Sequence, residues 1–169
     1  MKRLLALGML LWLVARAAAE EATFAVRHLT PDTALIVARA AMERCRKQGF
    51  SDTVAVVDRG GIVQVVLRDR LAGPHTIDTA IGKAWTAVSF RASTGELMES
   101  TAPNRPASGI RHLPRVVAIA GGVPIEAQGS ILGAIGVSGA PCGPAGACGT
   151  YDDECARTGI NAVADRLEF

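Results

Sequence analysis

Apolar residues recur along this chain in two rhythms, one of about 3.6 residues and one of two. Ala34, Leu35, Ala38, Ala41, Met42 and Cys45 fall on one helical face, while Arg39, Glu43, Arg46 and Lys47 take the other. Thr30, Pro31 and Asp32 suit the start of that helix, and Gly49 its stop. The rhythm then shortens. TVAVVD over Thr53–Asp58 and IVQVVLR over 62–68 read as a hairpin turning at Arg59-Gly60-Gly61. After a loop, Ile77, Ala80, Ile81, Ala84, Trp85 and Val88 mark a second amphipathic helix, capped in this reading by Thr76, with Asp78 in its first turn. Lys83 falls at the margin of its buried side and Arg91 near its end, each as fit for a solvated or capping role as for facing a ligand. Thr94–Ser100 supplies one more short helix, and the proline-rich APNRPASG leads toward Arg111-His112-Leu113-Pro114.

The stretch 116–139, VVAIAGGVPIEAQGSILGAIGVSG, organises the rest. Its β-branched and small apolar residues predict strands at 116–119, 123–127 and 131–137, broken at Gly121-Gly122 and Gln128-Gly129, where positive φ costs little. Gly133 and Gly136 inside the last strand mark a bulge or the close approach of another backbone or a ligand. A last helix follows, with Asp152, Asp153 and Glu154 at its start and Cys155, Ile160, Val163, Ala164 and Leu167 on a partly apolar face. Helices before, between and after five antiparallel strands predict an α+β domain.

The amino terminus sets the compartment. Lys2 and Arg3 precede the apolar run 4–14, and small residues fill 15–19, as in a secretory signal peptide cleaved near Ala17 or Ala19. The expected organisation is a signal peptide over 1–19, an amino-terminal arm over 20–28 and one domain over 29–169, periplasmic or secreted, with no membrane association after cleavage. Cleavage takes Lys2, Arg3 and Arg16 from the 18 basic residues, leaving 15 against 16 acidic ones. The basic excess disappears, and with it any charge argument for nucleic acid or an anionic surface.

The four cysteines, Cys45, Cys142, Cys148 and Cys155, lie in the exported part, where disulfides persist. Cys142 and Cys148 bracket the short loop GPAGA, while Cys45 and Cys155 sit on apolar helix faces, which favours the pairs Cys142–Cys148 and Cys45–Cys155. A zinc site is the rival, disfavoured by the lack of a Cys-x-x-Cys pair.

Catalytic motifs are absent. Ser138 in GVSGA lacks the spacing of a nucleophile elbow, and Ala120-Gly121-Gly122-Val123 lacks the order of a phosphate loop. His28 reads as a solvated residue of the arm. His75 stands at a loop–helix junction after a Gly-Pro turn, and His112 is flanked by Arg111 and Arg115.

The segments VAVVDRGGIVQVV, GPHTIDTAIGKAWTAVSF, AIAGGVPIEAQGSILGAIGVSGA and DDECARTGINAVAD, taken in order, resemble the GlcG/HbpS family of haem-binding proteins, also called DUF336, over 29–167. The resemblance implies a profilin-like antiparallel sheet flanked by helices and assembly into homo-oligomers. It also implies haem or another small molecule as partner, in a carrier or a haem or redox sensor. The alternatives are an oligomeric accessory protein of a periplasmic oxidoreductase system, working without haem, and a haem-degrading enzyme; catalysis is the less expected. The stretch CGPAGAC after Gly139 departs from the family pattern, and axial ligands are not carried over, because ligation varies within the family.

For haem, the residues themselves point to 68–75 and the helix that follows. His75 offers an imidazole nitrogen to iron, Arg68, Arg70 and Lys83 offer cations to the propionates, and Leu71 and Ile77 offer apolar contact. His112 is the second candidate ligand.

Overall fold

The computed structural model describes residues 22–168. The predicted signal peptide and the first two residues of the arm lie outside them. Residues 22–28 are exposed and without regular structure. The first helix, α1 (Pro31–Lys47), is capped by Thr30, whose hydroxyl accepts from the Thr33 amide at 3.2 Å. β1 (Thr53–Asp58) and β2 (Val63–Arg68) form the hairpin, whose turn is tied by Asp58 Oδ1 accepting from the Gly60 and Ile62 amides. Then come α2 (His75–Phe90) and the short α3 (Thr94–Ser100), closed by a capping box between Ser93 and Glu96. β3 (Gly122–Ala127) and β4 (Ser130–Ser138) turn at Gln128-Gly129, both at positive φ. The last helix is α4 (Thr150–Asn161). No helix among the described residues is long and apolar enough to cross a membrane.

The sheet has four strands in the order β2–β1–β4–β3, every pair antiparallel. The sequence predicts five; the expected strand at 116–119 does not form. Arg115 turns the chain at φ 69°, the Val117 amide donates to the Thr86 hydroxyl at 3.0 Å, and the Val117 side chain packs against Gly82 of α2. Val117 serves a helix surface instead of a ladder. The start of α2 differs too. Pro74, not Thr76, precedes it, and Thr76 lies buried with its hydroxyl 2.7 Å from that of Thr53.

Alternation along β1 sends Val54 and Val56 to the larger core, with α1 and α4, and Val57 to a smaller one under α2 with Ala84, Ala87 and Val88. The sheet thus lies between two helical layers. Gly136 is what lets α2 sit down on it: a Cβ there would stand 2.1 Å from the Ala80 carbonyl and 2.6 Å from the Ala84 amide. Gly133 crowds the Val57 carbonyl in the same way, beside the register shift between Ile125 and Glu126. Gly136→Ala is expected to destabilise the fold by on the order of 3 kcal/mol, since both obstacles are backbone and cannot rotate away. Urea unfolding of that variant checks it.

Candidate functional site

Where β2 runs into the loop before α2, a groove of about 650 Å³ opens between Arg46, Gly49, Phe50, Ser51, Arg68, Asp69, Arg70 and Leu71. Its floor is pinned. Arg46 Nε donates to Asp69 Oδ2 at 2.7 Å, the Arg70 amide donates to Asp69 Oδ1, and the Arg46 contact holds the Asp69 carboxyl below the usual carboxylate range against its burial. Arg68 donates to the Ala72 carbonyl, fastening the loop. Arg70 is exposed, and Leu71 holds its side chain out at the lip, 75% exposed. The wall is thus cationic with apolar groups at the rim, a pattern that suits an amphipathic anion.

Of the residues proposed from sequence, Arg68 and Arg70 meet at this groove with Leu71. His75 stands outside its lining, exposed at the first turn of α2, its ring folded against Gly73. His112 ends a 3₁₀ turn (Ser108–His112) and is also exposed. Its neighbours are engaged elsewhere: Arg111 donates to the Thr101 hydroxyl at 3.0 Å, and Arg115 lies 4.7 Å from the centre of the Trp85 ring.

Lys83 is a correction. It is neither solvated nor facing a ligand but buried, 1% exposed, in the same face of α2 as Ala80, Ala84 and Ala87. Its ammonium donates to Asp152 Oδ2 at 2.7 Å and to the Val137 carbonyl at 2.8 Å. Asp152 Oδ1 accepts from the Ala140 amide at 3.2 Å. Burial pushes the Lys83 ammonium down and the Asp152 carboxyl up, and their mutual contact opposes both shifts. The pair ties α2, β4 and α4 together. The sequence carried one signal for it, the place of Lys83 three and four residues from Ala80 and Ala87.

Sequence reasoning missed Asp52 altogether. It is buried directly before β1, and neither carboxylate oxygen has a hydrogen-bond partner. Desolvation, with Asp152 adding and Lys83 opposing, raises its carboxyl to about 7. An unfolded chain releases this proton near 3.8 and the native one near 7, so stability falls as pH rises through that window and levels off above it. Relative to wild type, Asp52→Asn is expected to gain stability on going from pH 4 to pH 8, by on the order of 4 kcal/mol. Paired urea titrations at the two pH values read it.

The structure joins Cys45 to Cys155 and Cys142 to Cys148, with Cα–Cα distances of 5.7 and 3.9 Å.

Comparison with known proteins adds the following. A family model described as haem degrading protein HbpS-like matches residues 29–161. The crystal structure of a double mutant of HbpS from Streptomyces reticuli superposes with a TM-score of 0.76 at 39% identity, covering 84% of this chain and 91% of that one. The structure of a PduOC–haem complex gives 0.72 at 29% identity, covering 81% and 96%. The corrinoid adenosyltransferase PduO of Salmonella typhimurium is 32% identical over 127 residues, 74% of this chain. The chain spans less than two thirds of the length of the leading curated relatives, 36% in that case.

Proposed function

Because the chain belongs to the HbpS-like family, we propose that it is an exported haem-associated protein, a carrier or a haem or redox sensor, which docks the cofactor at the loop between β2 and α2. The observation that carries the reading is the convergence of Arg68, Arg70 and the outward Leu71 on one groove, within a few residues of an exposed histidine. The donor set fits the group. Arg68 and Arg70 would hold the propionates, Leu71 and Phe50 would meet a macrocycle face, and His75 would offer one imidazole nitrogen to iron. Haem, when bound, would supply a redox-active iron. The groove is open rather than enclosed, so this chain's residues grip one side of the ligand and leave the other for solvent or a second copy. The solved haem complex of a structural neighbour supports haem as the kind of ligand.

A homo-oligomer is part of the proposal. β2 is a sheet edge, and Ile62, Val63, Leu113 and Ile119 expose apolar surface that a second copy would cover. Export rests on the amino-terminal pattern. The family description favours one second reading, haem degradation.

Haemin titration of the purified protein separates these. A carrier or sensor gives a saturable Soret band that survives a reductant with oxygen. A degrading enzyme gives a band that bleaches under those conditions. An accessory protein without haem gives no band and overturns the proposal.

A further inference from the structure

We propose that in the dithiol state, in which the chain is synthesised, Cys45, Cys155 and Asp52 form a binding site for a soft divalent metal ion such as zinc, which the Cys45–Cys155 disulfide later replaces. The two sulfurs and a carboxylate oxygen of Asp52 lie within 4.8 Å of one another, and all three residues are buried. Among the described residues this is the one convergence of three such side chains. It lies where α1 and α4 meet the start of β1, behind the groove before α2, whose lining includes Arg46 and Ser51, the chain neighbours of Cys45 and Asp52.

The carboxylate itself asks for an occupant. Both oxygens of Asp52 lack a hydrogen-bond partner at 1% exposure, and disulfide sulfurs offer them no proton. Native proteins rarely leave such a group unpaired, and an ion is one of the few things that would satisfy it. A fourth oxygen is at hand. Gln48 Oε1 stands 3.6 Å from Cys155 Sγ, and its amide is oriented by Nε2 donating to Glu154 Oε2 at 2.9 Å, the kind of outer contact that aims a ligand. Two sulfurs and two oxygens make a closed tetrahedral set for zinc, whose bonds of about 2.3 Å to sulfur place two thiolates about 3.7 Å apart. Reaching that separation would require rotation about the Cα–Cβ bonds of Cys45 and Cys155, whose Cα atoms lie 5.7 Å apart.

The binding step needs no redox partner. Each thiol loses its proton to solvent as its sulfur bonds the metal, two protons leave, and Asp52 binds as carboxylate, with its own proton released where it carried one. Two thiolates, one carboxylate and a divalent ion leave one net negative charge. When an external disulfide oxidises the pair by thiol–disulfide exchange, taking up both electrons and leaving as its dithiol, both sulfur donors are lost and the ion is expelled, so the states exclude each other. Either would close the same seam between α1 and α4.

Cobalt(II) is the probe. The protein is unfolded and reduced, then refolded without oxygen in the presence of one equivalent. The expected result is a thiolate-to-cobalt charge-transfer band with tetrahedral visible bands, lost on oxidation of the thiols. Asp52→Asn should weaken cobalt binding by at least about tenfold, whereas Cys142→Ser/Cys148→Ser should leave it unchanged. The Asp52 variant retains both cysteines and hence the disulfide-closed fold, which circular dichroism of its oxidised form checks independently. Absence of the band, equal affinity in Asp52→Asn, or a band that follows Cys142 and Cys148 overturns the proposal.

Discussion

Cys45→Ala/Cys155→Ala is expected to lower the unfolding free energy by about 4–5 kcal/mol, because the lost cross-link closes a loop of 110 residues in the unfolded chain. Removing Cys142–Cys148, which closes only six, should cost about 2 kcal/mol in the same chain-entropy model. The difference matters against a total of about 5–15 kcal/mol for a domain of this size. The long cross-link joins the first helix to the last, both sulfur-bearing residues being fully buried in the larger core. Urea unfolding of the two double variants without reductant reads the effect. Equal losses would mean that the long loop already holds structure when unfolded. Thiol titration of the unfolded, non-reduced protein gives the companion result, no free thiol; four would contradict it.

The second large effect belongs to Lys83. Lys83→Met should destabilise the fold by about 3–5 kcal/mol, since it leaves the Asp152 carboxylate buried with only the Ala140 amide for company. Lys83→Met/Asp152→Leu should recover much of that loss, because removing both charges removes the desolvation cost along with the attraction. A double-mutant cycle measured by urea unfolding checks both. If the single variant loses less than 1 kcal/mol, the pair does not hold α2 to α4 in the way its geometry states.

These two effects also show what the sequence makes visible. Local signals carried far: Thr53–Asp58 and Thr94–Ser100 form as their patterns predict, and Thr30 with Pro31 starts α1. Gly133 and Gly136 mark close backbone approaches, as glycines inside a strand imply. What a local pattern does not hold is a partner far along the chain. Asp152 looks like a dipole-compensating residue of α4 until Lys83, 69 residues earlier, is seen to reach it. Asp52 looks like part of a turn, and only the packing of α1 and α4 over it reveals a buried carboxylate. The fifth strand failed for a related reason: β-branched residues at 116–119 promise a ladder, but Val117 packs on Gly82 of α2 with its amide on Thr86, while Ile119 stays exposed.

For the groove before α2, the same distinction separates Lys83, withdrawn into the core, from Arg68 and Arg70, which remain at the surface. The haem reading is carried by that surface pair with Leu71 and takes His75, beside the groove, as its iron ligand, so a haemin titration of wild type beside His75→Ala and His112→Ala tests it most directly. The account predicts a Soret band in wild type that is shifted or weakened at least several-fold in His75→Ala. It also predicts an unaltered circular dichroism spectrum for that variant and little change in His112→Ala. An identical band and affinity in His75→Ala would contradict it.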